Sequence, residues 1–148
     1  MGTHYQGSAE EVLALDTYVK FIRSVEAVKS RIDLQNTIGD LNGSQFGTLE
    51  MLYHLGPLTQ KDIGQKLLIS KSNVVTVIDK LEARGFVQRR RSIEDRRCIF
   101  VHLKDEGRER LEQVLPVHVA AITAEMDRVT TDEQKELGRI CRKLGLAD

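Results

Sequence analysis

The chain has 148 residues, with 22 basic and 22 acidic side chains, 41% apolar content and only two cysteines. That size suits one compact domain per subunit without a separate catalytic lobe. No apolar run reaches the roughly 20 residues a bilayer span requires, and no transmembrane or membrane-anchored form is expected.

The amino terminus is polar and acidic instead of signal-like, so a cytoplasmic location is expected. Gln6 stands where a myristoylation motif wants serine or threonine. The first predicted element is a helix from about Ala9 to Leu34, with Val12, Leu15, Val19 and Ile22 on one stripe that must be buried against a partner. After an Asp40-Leu41-Asn42-Gly43 turn, Ser44 is expected to cap a second helix bearing Phe46, Leu49, Leu52 and Leu55, which Gly56-Pro57 ends. Asn42-Gly43-Ser44 is formally a glycosylation sequon, but in a cytoplasmic protein it is only a turn. Gly47 and Gly64 each cost roughly 1 kcal/mol against alanine inside a helix, which points to close backbone contacts at those positions.

The segment from Thr59 to Lys104 carries the functional information. Thr59-Gln60-Lys61-Asp62 begins a capped helix, with Ile63 and Leu67 on one face. The chain turns at Leu68-Ile69, and Ser70 caps a helix from Lys71 to Arg84. Its apolar residues Val74, Val77, Ile78 and Leu81 follow the spacing of one buried stripe, and Gly85 supplies a left-handed stop. The opposite face holds Lys71, Ser72, Asn73, Thr76 and Lys80. Asparagine, serine and threonine can match the donor and acceptor pattern of base edges, while lysines meet phosphates. A solvated polar face is the plain alternative.

Phe86 to Arg91 and Cys98 to Leu103 then read as two short strands around the polar turn Ser92-Ile93-Glu94-Asp95-Arg96-Arg97. This makes a hairpin whose basic residues are Arg89, Arg90, Arg91, Arg96 and Arg97. A long arginine at such a tip can enter the minor groove, and its neighbours can neutralise phosphates. An ordinary charged hairpin is the plain alternative here. The charge distribution favours the nucleic-acid reading. Between Leu58 and Lys104, 11 Lys and Arg face 5 Asp and Glu, a net of +6, and the rest of the chain carries 11 against 17, a net of −6. A neutral total therefore conceals one basic end that attracts a polyanion.

Beyond the hairpin, a helix from about Glu106 to Val129 carries Leu111, Leu115, His118, Ile122 and Val129 along one side, and a bend is expected near Pro116. Thr131 and Asp132 start a last helix with Leu137, Ile140, Cys141 and Leu144 on one face. A monomer offers too little surface to bury all these stripes, so terminal helices of two subunits are expected to intertwine.

Cys98 and Cys141 suggest neither a disulfide framework nor a zinc module, and Cys141 reads as a small core residue. His4, His54, His102 and His118 are scattered without metal-ligand spacing. No metal or other cofactor is expected. No phosphate loop, nucleophile elbow or catalytic carboxylate pair appears, so an enzyme is not expected. A winged module that binds another protein is the competing reading. Salt separates the two, because duplex affinity falls steeply between 50 and 200 mM salt when phosphates are neutralised.

Ser70 to Val87, followed by Glu94-Asp95-Arg96-Arg97 and Val101-His102-Leu103-Lys104-Asp105-Glu106-Gly107, resembles the multiple antibiotic resistance regulator (MarR) family of bacterial transcription factors. The resemblance covers nearly the whole chain. It implies a mainly α fold with a small β-wing: a winged helix-turn-helix over about 44–104, and dimerisation helices over about 9–35 and 106–146. It also implies a homodimer on double-stranded DNA at a palindromic operator, repression as the expected direction, and small aromatic or phenolic anions as effectors in a cleft between the reading head and the dimerisation helices.

Ser72, Asn73 and Thr76 match recognition-helix positions, Arg97 the wing tip, and Asp95 the residue bracing it; Ser70, Lys71 and Lys80 are further expected DNA contacts of the same helix. Thr76 and Val75 stand where the family often has arginine and threonine, so the operator sequence does not carry over. Lys104 replaces the threonine that usually caps the next helix, and Asp105 is expected to cap it from one residue later.

Overall fold

The computed structural model describes residues 2–146. They form six helices and one small antiparallel sheet. In chain order the elements are α1 (Ala9–Asp33), α2 (Gly43–Leu55), β1 (Leu58–Thr59), α3 (Gln60–Leu67), α4 (Lys71–Ala83), β2 (Val87–Arg91), β3 (Ile99–Leu103), α5 (Asp105–Met126) and α6 (Thr131–Gly145). Two compact units emerge, one from Ile38 to Val119 and one from the two ends of the chain, up to Thr37 and from Ala120 onward.

The central unit is a winged helix-turn-helix. Phe46, Leu49 and Leu52 of α2, Ile63 of α3, Val74, Ile78 and Leu81 of α4, Val87 and Val101 of the sheet, and Leu111 of α5 form one buried cluster. α2 and α4 contribute residues at three- and four-residue spacing, so one stripe of each faces inward, while α3 and α5 each add a single buried residue to the cluster. Removing this much apolar side chain from water is the main favourable term in the unit's folding. The sheet order is β1-β3-β2, with Leu58 opposite Val101 and Arg89 opposite the same residue from the other side. The two-residue β1 escapes a periodicity reading because no alternation can be seen over Leu58-Thr59.

Helix ends explain the turns. Thr59 and Ser70 cap α3 and α4 by accepting the backbone N–H of Asp62 at 3.1 Å and of Asn73 at 3.3 Å. α4 closes with Phe86 N–H donating to Leu81 O and Gly85 N–H to Glu82 O, both at 3.0 Å, with Gly85 at φ +77°. This double bond is the Schellman stop. The turn between α3 and α4 places Leu68 in the left-handed region at φ 56°. A non-glycine residue there costs about 1 kcal/mol or more.

Several expected boundaries shift. Asn42, not Ser44, caps α2, accepting Gln45 N–H at 2.8 Å while Gln45 Oε1 accepts Asn42 N–H at 3.1 Å. The reciprocal pair satisfies two free donors, which leaves Ser44 inside the helix. α5 starts at Asp105, because the Lys104 carbonyl already accepts Arg108 N–H at 3.0 Å. Lys104 therefore holds the cap position, and Asp105 and Glu106 favour the positive helix end from the first turn. α5 ends at Met126, short of Val129, and α6 is capped by Thr130 in a box with Glu133.

Close approach explains three glycines. A β-carbon at Gly64 would lie 2.7 Å from Val74 Cγ2, so α3 and α4 meet there without room for a side chain. At Gly107 it would collide with the Phe86 carbonyl oxygen, which also accepts Lys104 N–H at 2.9 Å. Gly47 is similarly crowded, with Leu67 Cδ2 at 3.0 Å.

In the terminal unit, α1 and α6 contain no buried residue. Glu125 accepts from Arg31 Nε at 2.8 Å and Arg128 Nε at 3.1 Å, so its carboxyl is held below the usual range, chiefly by the Arg31 hydrogen bond. The same unit leaves Leu13, Tyr18, Phe21 and Ile22 of α1 and Leu137, Ile140 and Leu144 of α6 exposed, the last 63% exposed.

Candidate nucleic-acid interface

α4 is fixed by burial of one face, and that decides what the other presents. With Val74, Ile78 and Leu81 in the core, Lys71, Ser72, Asn73, Thr76 and Lys80 are all exposed. Ser70 Oγ is occupied in capping and lies 3.2 Å from Ser72 Oγ. Thr76 Oγ1 donates to Ser72 O at 3.2 Å, leaving its lone pairs and methyl group outward. The Asn73 carboxamide and the Lys71 and Lys80 ammonium groups are unengaged. They offer one bidentate donor and acceptor group and two positive charges.

The wing is closed by its own turn. Ser92 N–H donates to Cys98 O at 2.8 Å, Cys98 N–H to Asp95 O at 2.9 Å, and Asp95 N–H to Ser92 Oγ at 3.2 Å. Asp95 then accepts from Arg97 three times: from the backbone N–H at 3.0 Å, Nε at 3.1 Å and Nη2 at 3.2 Å. The side-chain bond to Arg97 holds the Asp95 carboxyl below its ordinary value and raises the guanidinium in turn. The Arg97 side chain stays 90% exposed. It is an oriented cation projecting into solvent, with part of the entropy of ordering a long side chain already spent.

The other arginines behave differently. Arg96 is exposed, and its carbonyl receives the Arg91 guanidinium. Arg90 reaches Gln88 Oε1 on its own strand at 3.2 Å. Arg90 also lies near His102, whose pKa is lowered first by burial and then by that charge.

Arg89 turns inward. Its Nε donates to Gln60 Oε1 at 2.7 Å, its Nη1 to Glu82 Oε1 at 3.0 Å, and its Nη2 lies 2.7 Å from Asp79 Oδ1. Its backbone N–H donates to Glu82 Oε2 at 2.8 Å. Gln60, Asp79 and Glu82 were not among the residues nominated from sequence. The signal available was strand alternation: Val87 is a core residue, so Arg89 two positions later shares its face.

A second ionic knot joins the segment before α2 to α4 and α5. The Asp40 carboxylate bonds the guanidinium groups of Arg84 and Arg110, and Arg84 lies over the Phe86 ring with 4.6 Å to its centroid. Hydrogen bonds from Arg84 first, then Arg110, hold the Asp40 carboxyl below its ordinary value of 3.8.

His118 packs edge-on to Phe46, with ring centroids 4.6 Å apart. Cys98 and Cys141 are free thiols of intermediate burial. Among the described residues no group of three or more His, Cys, Asp or Glu is placed to hold a metal ion, and no helix is long and apolar enough to cross a membrane.

Residues 41–99 match the MarR family profile. The chain is 34% identical over 133 residues to the HTH-type transcriptional regulator YkoM of Bacillus subtilis, covering 90% of this chain and 86% of that protein. To the HTH-type transcriptional regulator MhqR of the same organism it is 29% identical over 134 residues, covering 90% and 92%. Among solved structures it is similar to Sco3205, a MarR family transcriptional regulator from Streptomyces coelicolor in complex with DNA. The TM-score is 0.82 at 26% identity, over 96% of this chain and 90% of that one.

Proposed function

The chain belongs to the MarR family of DNA-binding transcriptional regulators, and on that premise we propose that it represses transcription by binding an inverted-repeat operator as a homodimer. α4 enters the major groove, where Asn73, Ser72 and Thr76 contact base edges and Ser70, Lys71 and Lys80 contact phosphates. The wing places Arg97, braced by Asp95, in the adjacent minor groove, with Arg90, Arg91 and Arg96 against the backbone. The observation that carries this reading is the pairing of an exposed polar face on α4, on which Lys71, Asn73 and Lys80 are unengaged, with a braced, exposed arginine on the wing of the same unit.

Dimerisation is supported by the unburied apolar residues of α1 and α6. Two reading heads spaced on the order of 34 Å apart meet successive major grooves on one side of a duplex. A small aromatic or phenolic anion that shifts this spacing releases the operator, a reading carried by the family resemblance alone. Coupling of about 1 to 3 kcal/mol is enough for such a switch.

The experiment is a salt titration of duplex affinity. If six or more phosphates are neutralised, binding should fall about 1,000-fold or more between 50 and 200 mM salt. A salt-insensitive affinity would remove the phosphate-contacting face from the account.

A further inference from the structure

We infer that Arg89 is a positioning residue for DNA recognition, setting the angle between the wing and α4 from inside the head without itself contacting the duplex. The inference deepens the DNA-binding reading and rests on it.

Arg89 sits on β2, an edge strand of the sheet, and its side chain is only 22% exposed. All three guanidinium nitrogens are engaged: Nε with Gln60 at the start of α3, Nη1 with Glu82, and Nη2 with Asp79 and, at 3.4 Å, with the Val75 carbonyl of α4. Its backbone N–H, unpaired within an edge strand, is taken by the second oxygen of Glu82. One side chain therefore fixes the wing strand to both helices of the helix-turn-helix through a planar, rigid donor set. Glu82 closes the arrangement by accepting from side chain and backbone of the same residue. An arginine reaching for phosphate would have to abandon two carboxylates, a carboxamide and a carbonyl. The two acids lie on α4 beside the groove-facing residues, where they repel DNA. Their presence on that helix is explained by what they hold in place.

This predicts a sign that simple electrostatics reverses. Removing a negative charge beside a phosphate backbone strengthens binding, whereas removing a support for the wing weakens it.

The test compares wild type, Glu82→Gln, Arg89→Gln, Arg97→Ala and the Arg89→Gln/Arg97→Ala double variant on an operator-like duplex recovered by selection. Affinity is read alongside hydroxyl-radical protection of the minor groove and methylation protection of the major groove. Glu82→Gln is expected to bind at least threefold more weakly than wild type. Arg89→Gln is expected to lose minor-groove protection while retaining major-groove protection. Arg97→Ala should cost much less in the Arg89→Gln background than alone, because the wing is already misplaced.

Tighter binding by Glu82→Gln, or costs of Arg89→Gln and Arg97→Ala that multiply with the wing footprint intact, would overturn the assignment and make Arg89 an independent phosphate contact. If Arg89→Gln does not fold, the direction of the Glu82→Gln effect decides. A wild-type protein that selects no duplex would instead bring down the DNA-binding reading itself, and this inference with it.

Discussion

Asn73 presents an unengaged carboxamide from the exposed face of α4, the group best suited to a bidentate contact with adenine. Asn73→Ala should cost roughly 1 to 3 kcal/mol on the preferred site and flatten discrimination among sites, as read by competition binding. Equal losses on random DNA would make it a phosphate contact. Arg97 differs, because Asp95 bonds its guanidinium while the side chain stays exposed. Arg97→Ala should weaken operator binding on the order of tenfold while subunit mass and helix content stay constant, and unchanged affinity would remove the wing from the mechanism.

Asp40 is tied to stability instead of recognition. Its pKa is lowered by Arg84 and Arg110, so its contribution is present above the ordinary value and is lost as pH falls through the depressed one. Asp40→Asn should therefore lower Tm at pH 7, and the gap to wild type should begin to narrow near pH 3.8 and close only as pH falls through the depressed folded value. A gap that persists in acid would mean that Asp40 acts through packing. At this scale the polar face of α4 was readable from helical period alone. The inward turn of Arg89 required knowing that Val87 anchors β2 in the core and that Glu82 lies opposite.

Among elements, the junction of the wing with α5 is the tightest. Gly107 passes the Phe86 carbonyl with no room for a methyl group, and that carbonyl also accepts from Lys104. Gly107→Ala should reduce unfolding free energy by about 1 to 3 kcal/mol, as overpacking does. The shift should appear in the urea midpoint with little change in m. A midpoint equal to wild type would show that α5 can slide to make room.

Helices α3 and α4 and the stop at Gly85 were legible in the sequence because an apolar stripe meets a cap or a breaker, α1 was legible from its stripe alone, and the wing strands from β-forming residues around a polar turn. The cap of α2 was placed two residues late, since Asn42 and Ser44 are both good caps and only the reciprocal bond with Gln45 separates them. β1 was missed because two residues carry no period. The close contacts expected at Gly47 and Gly64 are present, and only coordinates reveal the one at Gly107.

For the whole molecule, neutrality conceals segregation: the +6 segment is the one that folds into the helix-turn-helix and wing. The terminal unit poses a different demand, because Leu137, Ile140 and Leu144 of α6 are exposed in a single chain. If a second copy covers them, Leu137→Glu should shift sedimentation from dimer toward monomer and weaken operator binding with it. If they face water, the substitution should change stability by no more than about 0.5 kcal/mol and leave mass unchanged. In the sequence, a two-fold partner is argued only from apolar stripes that one chain leaves unburied, and no residue pattern there names an effector.

The most direct measurement is selection of bound duplexes from a random pool, followed by sequencing. The expected result is an inverted repeat whose half-sites lie about 10 base pairs apart, centre to centre. Recovery of no preferred sequence, or of a single half-site without its mirror image, would contradict a paired reading head.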